Sequence, residues 1–298
     1  MNKELFKYKP LLEAYLHEVP TELSSYSFVN VLAWKDFFTF DFQVIDENLC
    51  IFAAQDMGTF LYLFPLGKNV SPSTIETCFS RMRERNRGRG VSRIENVDQR
   101  FLPLLPEQKF SVYLKGYEYC YFRKDLAALL GNAYKSKRNA YNHFIKQHTF
   151  SCEAYSPEML SSCVDLYARW VEQRKAVCRD PVAVQMLEEN RSVHRLVMEY
   201  FQELGMLGRV AFVDGKLQGY SFGYALNEHT FCVLLEVTDL SIKGLSVYLF
   251  KTFCSDPQLA KFKFINVMDD FALDNIKATK LSFRPSLMFP SYTVSLRS

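Results

Sequence analysis

At 298 residues, with 48 % hydrophobic side chains and a net charge of +3, the chain has length for two ordinary domains and apolar content for a sizeable core. That net charge is too small to name nucleic acid as a partner by itself, so local clustering has to be read instead. Eight scattered cysteines (Cys50, Cys78, Cys120, Cys152, Cys163, Cys178, Cys232 and Cys254) form no C-x-x-C pair and no zinc-finger spacing with histidine. A reduced cytosolic protein with buried free thiols and no structural metal is expected. The charged start M-N-K-E-L-F-K-Y-K-P lacks the apolar core of a signal peptide, and no apolar run approaches the roughly 20 residues that cross a bilayer.

In chain order, residues 4–18 read as a helix with Leu5, Leu11, Leu12, Tyr15 and Leu16 inward and Pro10 as a kink. A second helix begins at Ser27–Asn30 and passes Leu32, Trp34 and Phe37. Strands are predicted at 40–45, 49–54 and 59–64, with turns at Asp46-Glu47-Asn48 and Asp56-Met57-Gly58, an antiparallel meander. A helix from Pro72 to Asn86 follows, capped by Ser71 or Ser73. Its end carries Arg81, Arg83, Arg85, Arg87 and Arg89 against Glu84 alone. Complementing the helix dipole explains these cations, and nucleic-acid contact is the competing reading. Strands at 91–97 and 110–114 come next, joined by a short helical connector over 98–105.

The stretch from Tyr119 to His148 organises the rest. Tyr119, Tyr121 and Phe122 read as a strand. Asp125 offers an N-cap to a short helix over 126–130, and Gly131 a positive φ to end it. In the helix that follows, Tyr134, Tyr141, Phe144 and Ile145 make one apolar face. Lys135, Arg138, Asn139, Asn142 and Lys146 make another, and no acid lies between Asp125 and Glu153. That face is either a solvated bridge between two halves or a phosphate-binding surface.

The pattern then repeats. A strand at 150–155, a long helix from Ser156-Pro157-Glu158, a break at Pro181 and a helix over 184–204 lead into a second meander (207–213, 217–226, 231–237), with Asp214-Gly215 as a hairpin turn. Gly244 opens a helix through Tyr248, Leu249 and Phe253. Phe262, Phe264 and Val267 mark a strand, 274–281 a last helix and 287–294 a last strand. Helices, a three-strand meander, a helix and a strand thus occur twice. This order resembles the GNAT acyltransferase layout, and predicts an α+β fold of two tandem GNAT-like domains, residues 1–134 and 135–298, with mixed sheets flanked by helices.

In that layout the loop before the second domain's Gly244 helix would cradle a pyrophosphate. Here it reads Asp239 to Ser246, with Lys243, Gly244 and Ser246 as a degraded coenzyme A motif. Asp269 and Asp270 sit at a strand end, with Asn266 before them and Lys277, Lys280 and Arg284 after. Adjacent buried carboxylates need cations or donors. They offer acid–base chemistry for acyl transfer, or they cap the helix beginning near Asp274. Glu236 is a lone acid in an apolar strand, either a base or an ion-paired edge residue. No G-x-S-x-G elbow, P-loop or G-x-G-x-x-G is present.

Four blocks carry a family resemblance: Ser25-x-x-Phe28-x-Asn30-x-x-x-Trp34; Phe64-Pro65-Leu66-Gly67; Tyr119-x-Tyr121 through Asp125-Leu126, Gly131, Tyr134, Lys137-Arg138-Asn139 and Asn142-x-Phe144; and Asn266 through Asp269-Asp270, Lys277 and Lys280-Leu281-Ser282-Phe283-x-Pro285. Together they resemble the family named for the cytosolic C-terminal domain of phosphatidylglycerol lysyltransferase, over nearly the whole chain. That family's D-x-G is here Asp270-Phe271-Ala272 or Asp269-Asp270-Phe271, without the glycine. The resemblance implies tandem GNAT-like domains similar to Fem-type transferases. It also implies an aminoacyl group taken from aminoacyl-tRNA, as co-substrate, to a phosphatidylglycerol-like hydroxyl or another acceptor. It further implies a basic helix (Lys135, Lys137, Arg138, Asn139, Asn142) at tRNA or lipid phosphate, with peripheral membrane contact. Asn266, Asp270, Lys280 and Arg284 would lie near the junction of donor and acceptor. Two rival readings stand beside this one: an acyl-coenzyme A N-acyltransferase working through Lys243, Gly244 and Ser246, and a non-catalytic binding protein.

Overall fold

The computed structural model describes residues 2–178 and 180–297. The chain divides into two units: the residues up to Glu118 with those from Met288 on, and Tyr119–Leu287. The expected division at Tyr134/Lys135 falls inside the second unit, because the Tyr119–Phe122 run is not a separate strand. It continues the expected fragment at 110–114 into one strand, Phe110–Phe122, whose last four residues belong to the second unit.

The first unit contains α1 (Asn2–Phe6), α2 (Lys9–Glu18), α3 (Phe28–Ala33), β1 (Thr39–Ile45), β2 (Asn48–Gln55), β3 (Gly58–Leu61), α4 (Pro72–Arg85), β4 (Arg93–Asp98) and the start of β5 (Phe110–Phe122). The single helix predicted over 4–18 is two helices. Pro10 has no N–H to give and sits in the first turn of α2, so it opens a helix instead of kinking one. β1, β2 and β3 form the predicted antiparallel meander, and β4 joins β3 in parallel at Leu61–Ile94. Ser27 caps α3 by accepting from Asn30 N–H at 3.1 Å, while Asn30 Oδ1 accepts from the Tyr62 hydroxyl at 2.5 Å. The Ser25–Trp34 block is therefore a structural anchor. Buried Glu118 pins the segment before it, accepting from Ser24 N–H at 2.9 and 3.0 Å.

The second unit contains α5 (Arg123–Ala128), α6 (Lys135–Gln147), β6 (Phe150–Ala154), α7 (Leu160–Lys175), α8 (Pro181–Glu199), β7 (Leu207–Val213), β8 (Lys216–Ala225), β9 (Thr230–Thr238), α9 (Leu245–Cys254), β10 (Phe264–Asn266) and α10 (Asp274–Leu281). The last strand, β11 (Leu287–Leu296), pairs antiparallel with β4 from Ser291 to Ser295. β6, β7, β8 and β9 are antiparallel neighbours, and β10 runs parallel to β9. Each unit thus contains a three-strand antiparallel meander, a helix and a parallel strand, the order predicted from the sequence, and β6 adds a fourth antiparallel strand to the second. α5 ends differently from expectation. Asp125 lies inside its first turn instead of capping it, and Leu129, not Gly131, takes the left-handed turn (φ 51°) that closes it.

β8 explains how this sheet is covered. Tyr220, Ser221 and Phe222 are all fully buried, so both faces of the strand are packed by other elements. Tyr220 meets His194 of α8 through a 2.8 Å bond to the ring Nδ1. On the opposite face, Gly219 packs against Leu249 of α9. α6 lies on α9 through Phe144, which is wholly buried among Leu245, Tyr248 and Leu249. Burying that ring contributes about 2–3 kcal/mol. Gly244 sits where the two helices meet. Its φ is 86°, and a Cβ there would collide with the Ala140 carbonyl oxygen. No helix among the described residues is long and apolar enough to cross a membrane.

Candidate active site

β9 and β10 part company early. Their parallel pairing covers only Thr230–Cys232 against Phe264–Asn266, and β9 then continues to Thr238 without that neighbour. Glu236 lies in this unpaired run. On its other side β9 pairs with β8, with Ser221 directly opposite Glu236. Directly opposed residues of an antiparallel pair project to one face, so these two side chains share the α9 side of the sheet. Part of Glu236 reaches solvent, but its Oε2 is buried. Neither that oxygen nor Ser221 Oγ has a hydrogen-bond partner among the described residues.

An unpaired buried carboxyl resists ionisation. Burial pushes Glu236 up to about 8, although the Lys137 ammonium pulls the other way. Burial likewise holds Lys137 below its ordinary value, with Glu236 opposing the shift. The two groups feel each other's charge yet form no ion pair among the described residues. Lys137 instead stands 3.9 Å from the centroid of the Phe283 ring, a cation–π contact. A carboxyl pushed up to about 8 and an ammonium with no ion pair among the described residues are the parts that acyl transfer uses.

The other acids and cations are engaged in holding a loop. After Asn266 the chain passes through Met268, Phe271 and Ala272 at positive φ. Asn266 Oδ1 accepts from Met268 N–H at 2.6 Å. Lys280 Nζ donates to the carbonyls of Val267 (2.7 Å), Met268 (3.2 Å) and Asp269. The Tyr119 hydroxyl donates to Asp270 Oδ2 at 2.5 Å, and Asp270 Oδ1 accepts from Ala272 N–H at 3.0 Å. Burial, then Asp270, raises the Tyr119 hydroxyl far above its ordinary range. α10 begins after Leu273 with no side-chain cap, so neither Asp269 nor Asp270 caps it. Arg284 is exposed at φ 58°.

On α6, Lys135, Asn139, Asn142 and Lys146 are exposed, at spacings of four, three and four that keep them on one stripe. Arg138 is turned elsewhere: it donates to the carbonyls of Leu129 and Gly131 (2.6 Å to the latter) and so closes the end of α5. The loop before α9 uses its own N–H groups. Leu240 donates to Gln173 Oε1 (3.1 Å), Ser241 to Asp239 Oδ1 (2.9 Å), and Ile242 and Leu245 to backbone carbonyls at 3.3 Å. Lys243 and Ser246 are exposed, while Gly244 is held against α6. Among the described residues, no group of three or more His, Cys, Asp or Glu is arranged to hold a metal ion.

The first unit holds a cavity of about 380 Å³ beside Tyr15, Glu18, Asp46, Asn48 and Lys68. Its acids are engaged: Glu18 pairs with Lys68 at 3.1 Å, and Asp46 accepts from Thr74 Oγ1 at 2.9 Å. The candidate chemistry therefore lies at Glu236, Lys137 and Ser221. Ser221 was missed in the sequence. Its signal is a small polar residue opposite an acid in two largely apolar strands.

The sequence matches the family described as phosphatidylglycerol lysyltransferase, C-terminal, over residues 17–295. The chain belongs to that family. A crystal structure of a conserved protein of unknown function from Bacteroides thetaiotaomicron is similar at a TM-score of 0.86 and 22 % identity, covering 98 % of this chain and 97 % of that one. L-PGS from Bacillus licheniformis is similar at 0.67 and 16 %, covering 97 % and 92 %. A tandem GNAT protein from the clavulanic acid biosynthesis pathway is similar at 0.54 and 10 %, covering 96 % and 93 %. The fold of this phosphatidylglycerol lysyltransferase-family chain is thus the α+β, GNAT-like fold expected from its element order. A search by sequence among curated proteins finds no match.

Proposed function

We propose that this chain transfers an aminoacyl group from aminoacyl-tRNA to a hydroxyl or amine acceptor, a phosphatidylglycerol-like lipid among the candidates. The observation that carries the reading is Glu236: its Oε2 is buried with no hydrogen-bond partner among the described residues, and burial pushes the carboxyl up to about 8 against the pull of Lys137. The donor ester is already activated. What remains is to remove the acceptor's proton and to hold the charge that develops on the carbonyl oxygen. Glu236 takes that proton, and Lys137 faces the oxyanion. As the tetrahedral intermediate collapses, the proton passes to the departing ribose oxygen. Asp269, Asp270, Asn266 and Lys280 shape the loop between β10 and α10, and Arg284 follows α10. The exposed stripe of Lys135, Asn139, Asn142 and Lys146 is the face offered to phosphate.

The acyl-coenzyme A reading draws on Gly244, which does open a helix from a left-handed turn. It fits less well, because the loop's N–H groups at 240, 241, 242 and 245 are already bonded. Incubating purified protein with a mixture of charged tRNAs and lipid vesicles, and reading products by mass spectrometry, tests the proposal. Aminoacylated product should form with wild type and drop at least ~100-fold in Glu236→Gln. Acyl-coenzyme A turnover without any tRNA-dependent product would overturn it.

A further inference from the structure

We propose that Ser221 Oγ and Glu236 Oε2 form a two-acceptor subsite for a primary amine, and that this amine is the nucleophile of the acceptor. The inference rests on the transferase reading and names the acceptor's class. Both atoms are buried, both lack a hydrogen-bond partner among the described residues, and their residues are directly opposed on β8 and β9. Buried polar atoms are ordinarily satisfied, so two orphans on opposed positions mark a place that a ligand completes.

The donor count decides between acceptors. An ammonium gives one N–H to each oxygen; once Glu236 has taken a proton from it, the nitrogen has a lone pair to attack with and still an N–H for Ser221. A hydroxyl has one proton to give. It satisfies Glu236 alone, or both oxygens only if Ser221 donates into an oxygen lone pair that has to attack. Proton affinity points the same way. A carboxyl titrating near 8 lies much closer to an ammonium than to an alcohol. The charged group that acts on Glu236 is the Lys137 ammonium from α6; Glu236 in turn raises the Cys254 thiol of α9, which burial already pushes up.

The step balances. The ammonium gives one proton to Glu236 Oε2, and the nitrogen lone pair forms the N–C bond at the ester carbonyl. The C–O bond to the ribose then breaks. Glu236 returns its proton to the ribose oxygen, and the nitrogen loses its second proton to solvent. The products are an amide and uncharged tRNA.

Ethanolamine and ethylene glycol differ in the group that matters and little in size, so they are the probes. Thermal melts and titration calorimetry at pH 7, in phosphate and in HEPES, compare wild type with Ser221→Ala, Ser221→Thr and Glu236→Gln. Ethanolamine should raise the melting temperature at concentrations where the glycol does not. Its binding should release a proton, because the cation ionises Glu236. Ser221→Ala should weaken binding about tenfold, Ser221→Thr should restore most of it, and Glu236→Gln should abolish the proton release. Equal binding of the glycol, or Ser221→Ala binding like wild type, overturns the proposal. Should Glu236→Gln fail to fold, the two serine variants carry the decision. tRNA-dependent transfer to a lipid hydroxyl with no ethanolamine binding would sink the amine subsite and leave the transferase standing. Ethanolamine binding without any tRNA-dependent product would do the reverse.

Discussion

Glu236 and Lys280 are both ionisable residues of the second unit, yet their surroundings give them opposite work. Lys280 donates to three carbonyls of one loop, whereas Glu236 Oε2 has no hydrogen-bond partner among the described residues. Replacing Lys280 by Met should strand those carbonyls and cost about 1–3 kcal/mol, read by chemical denaturation. Glu236 should reveal itself through pH. Its carboxyl ionises near 4.5 in the unfolded chain and near 8 when folded. Between those values the folded state holds the extra proton, so stability falls as pH rises from about 5 to 8. Melting temperatures of Glu236→Gln, which has no such proton, should fall less than those of wild type across that window. His194 acts at the other end. Burial holds it down to about 3, so stability is lost as pH falls from about 6.5 toward 3.

Between elements, the packing of α6 on α9 depends on two residues of different kinds. Phe144→Ala should cost about 3–5 kcal/mol, because a wholly buried ring leaves a cavity. Gly244→Ala should cost about 2 kcal/mol or more, since the new Cβ needs both a left-handed backbone and the space of the Ala140 carbonyl. Denaturant midpoints of the two variants check these values. Gly244 could be picked out in the sequence as the opener of a helix, but what it packs against could not. Its neighbour lies roughly a hundred residues earlier on another helix. Likewise Arg138 looked like one more cation on a basic face. Only the path of α5 reveals that its guanidinium closes that helix's end.

For the whole molecule, the exposed stripe on α6 sets the expected salt dependence. If Lys135 and Lys146 each neutralise one RNA phosphate, the Lys135→Glu, Lys146→Glu double variant should bind charged tRNA more weakly. Its log–log salt slope should flatten by about 1.4–1.8, measured by filter binding across a salt series. A slope unchanged from wild type would remove α6 from the RNA surface.

Local patterning determined much of this protein by itself. Apolar runs separated by short turns of Asp, Asn and Gly were enough for both meanders, and the repeated order of strands and helices was enough for the α+β, GNAT-like class. Those signals are legible because turn chemistry and hydrophobic periodicity act over a few neighbouring residues. The tertiary structure alone decided three things. It joined two strand fragments into β5, it returned β11 to the first unit, and it set Ser221 opposite Glu236 with Lys137 nearby. Each depends on partners far apart in the chain. A carboxyl's proton affinity is set by which groups fold around it and how much water they exclude, and that depends on long-range packing that local sequence pattern does not specify.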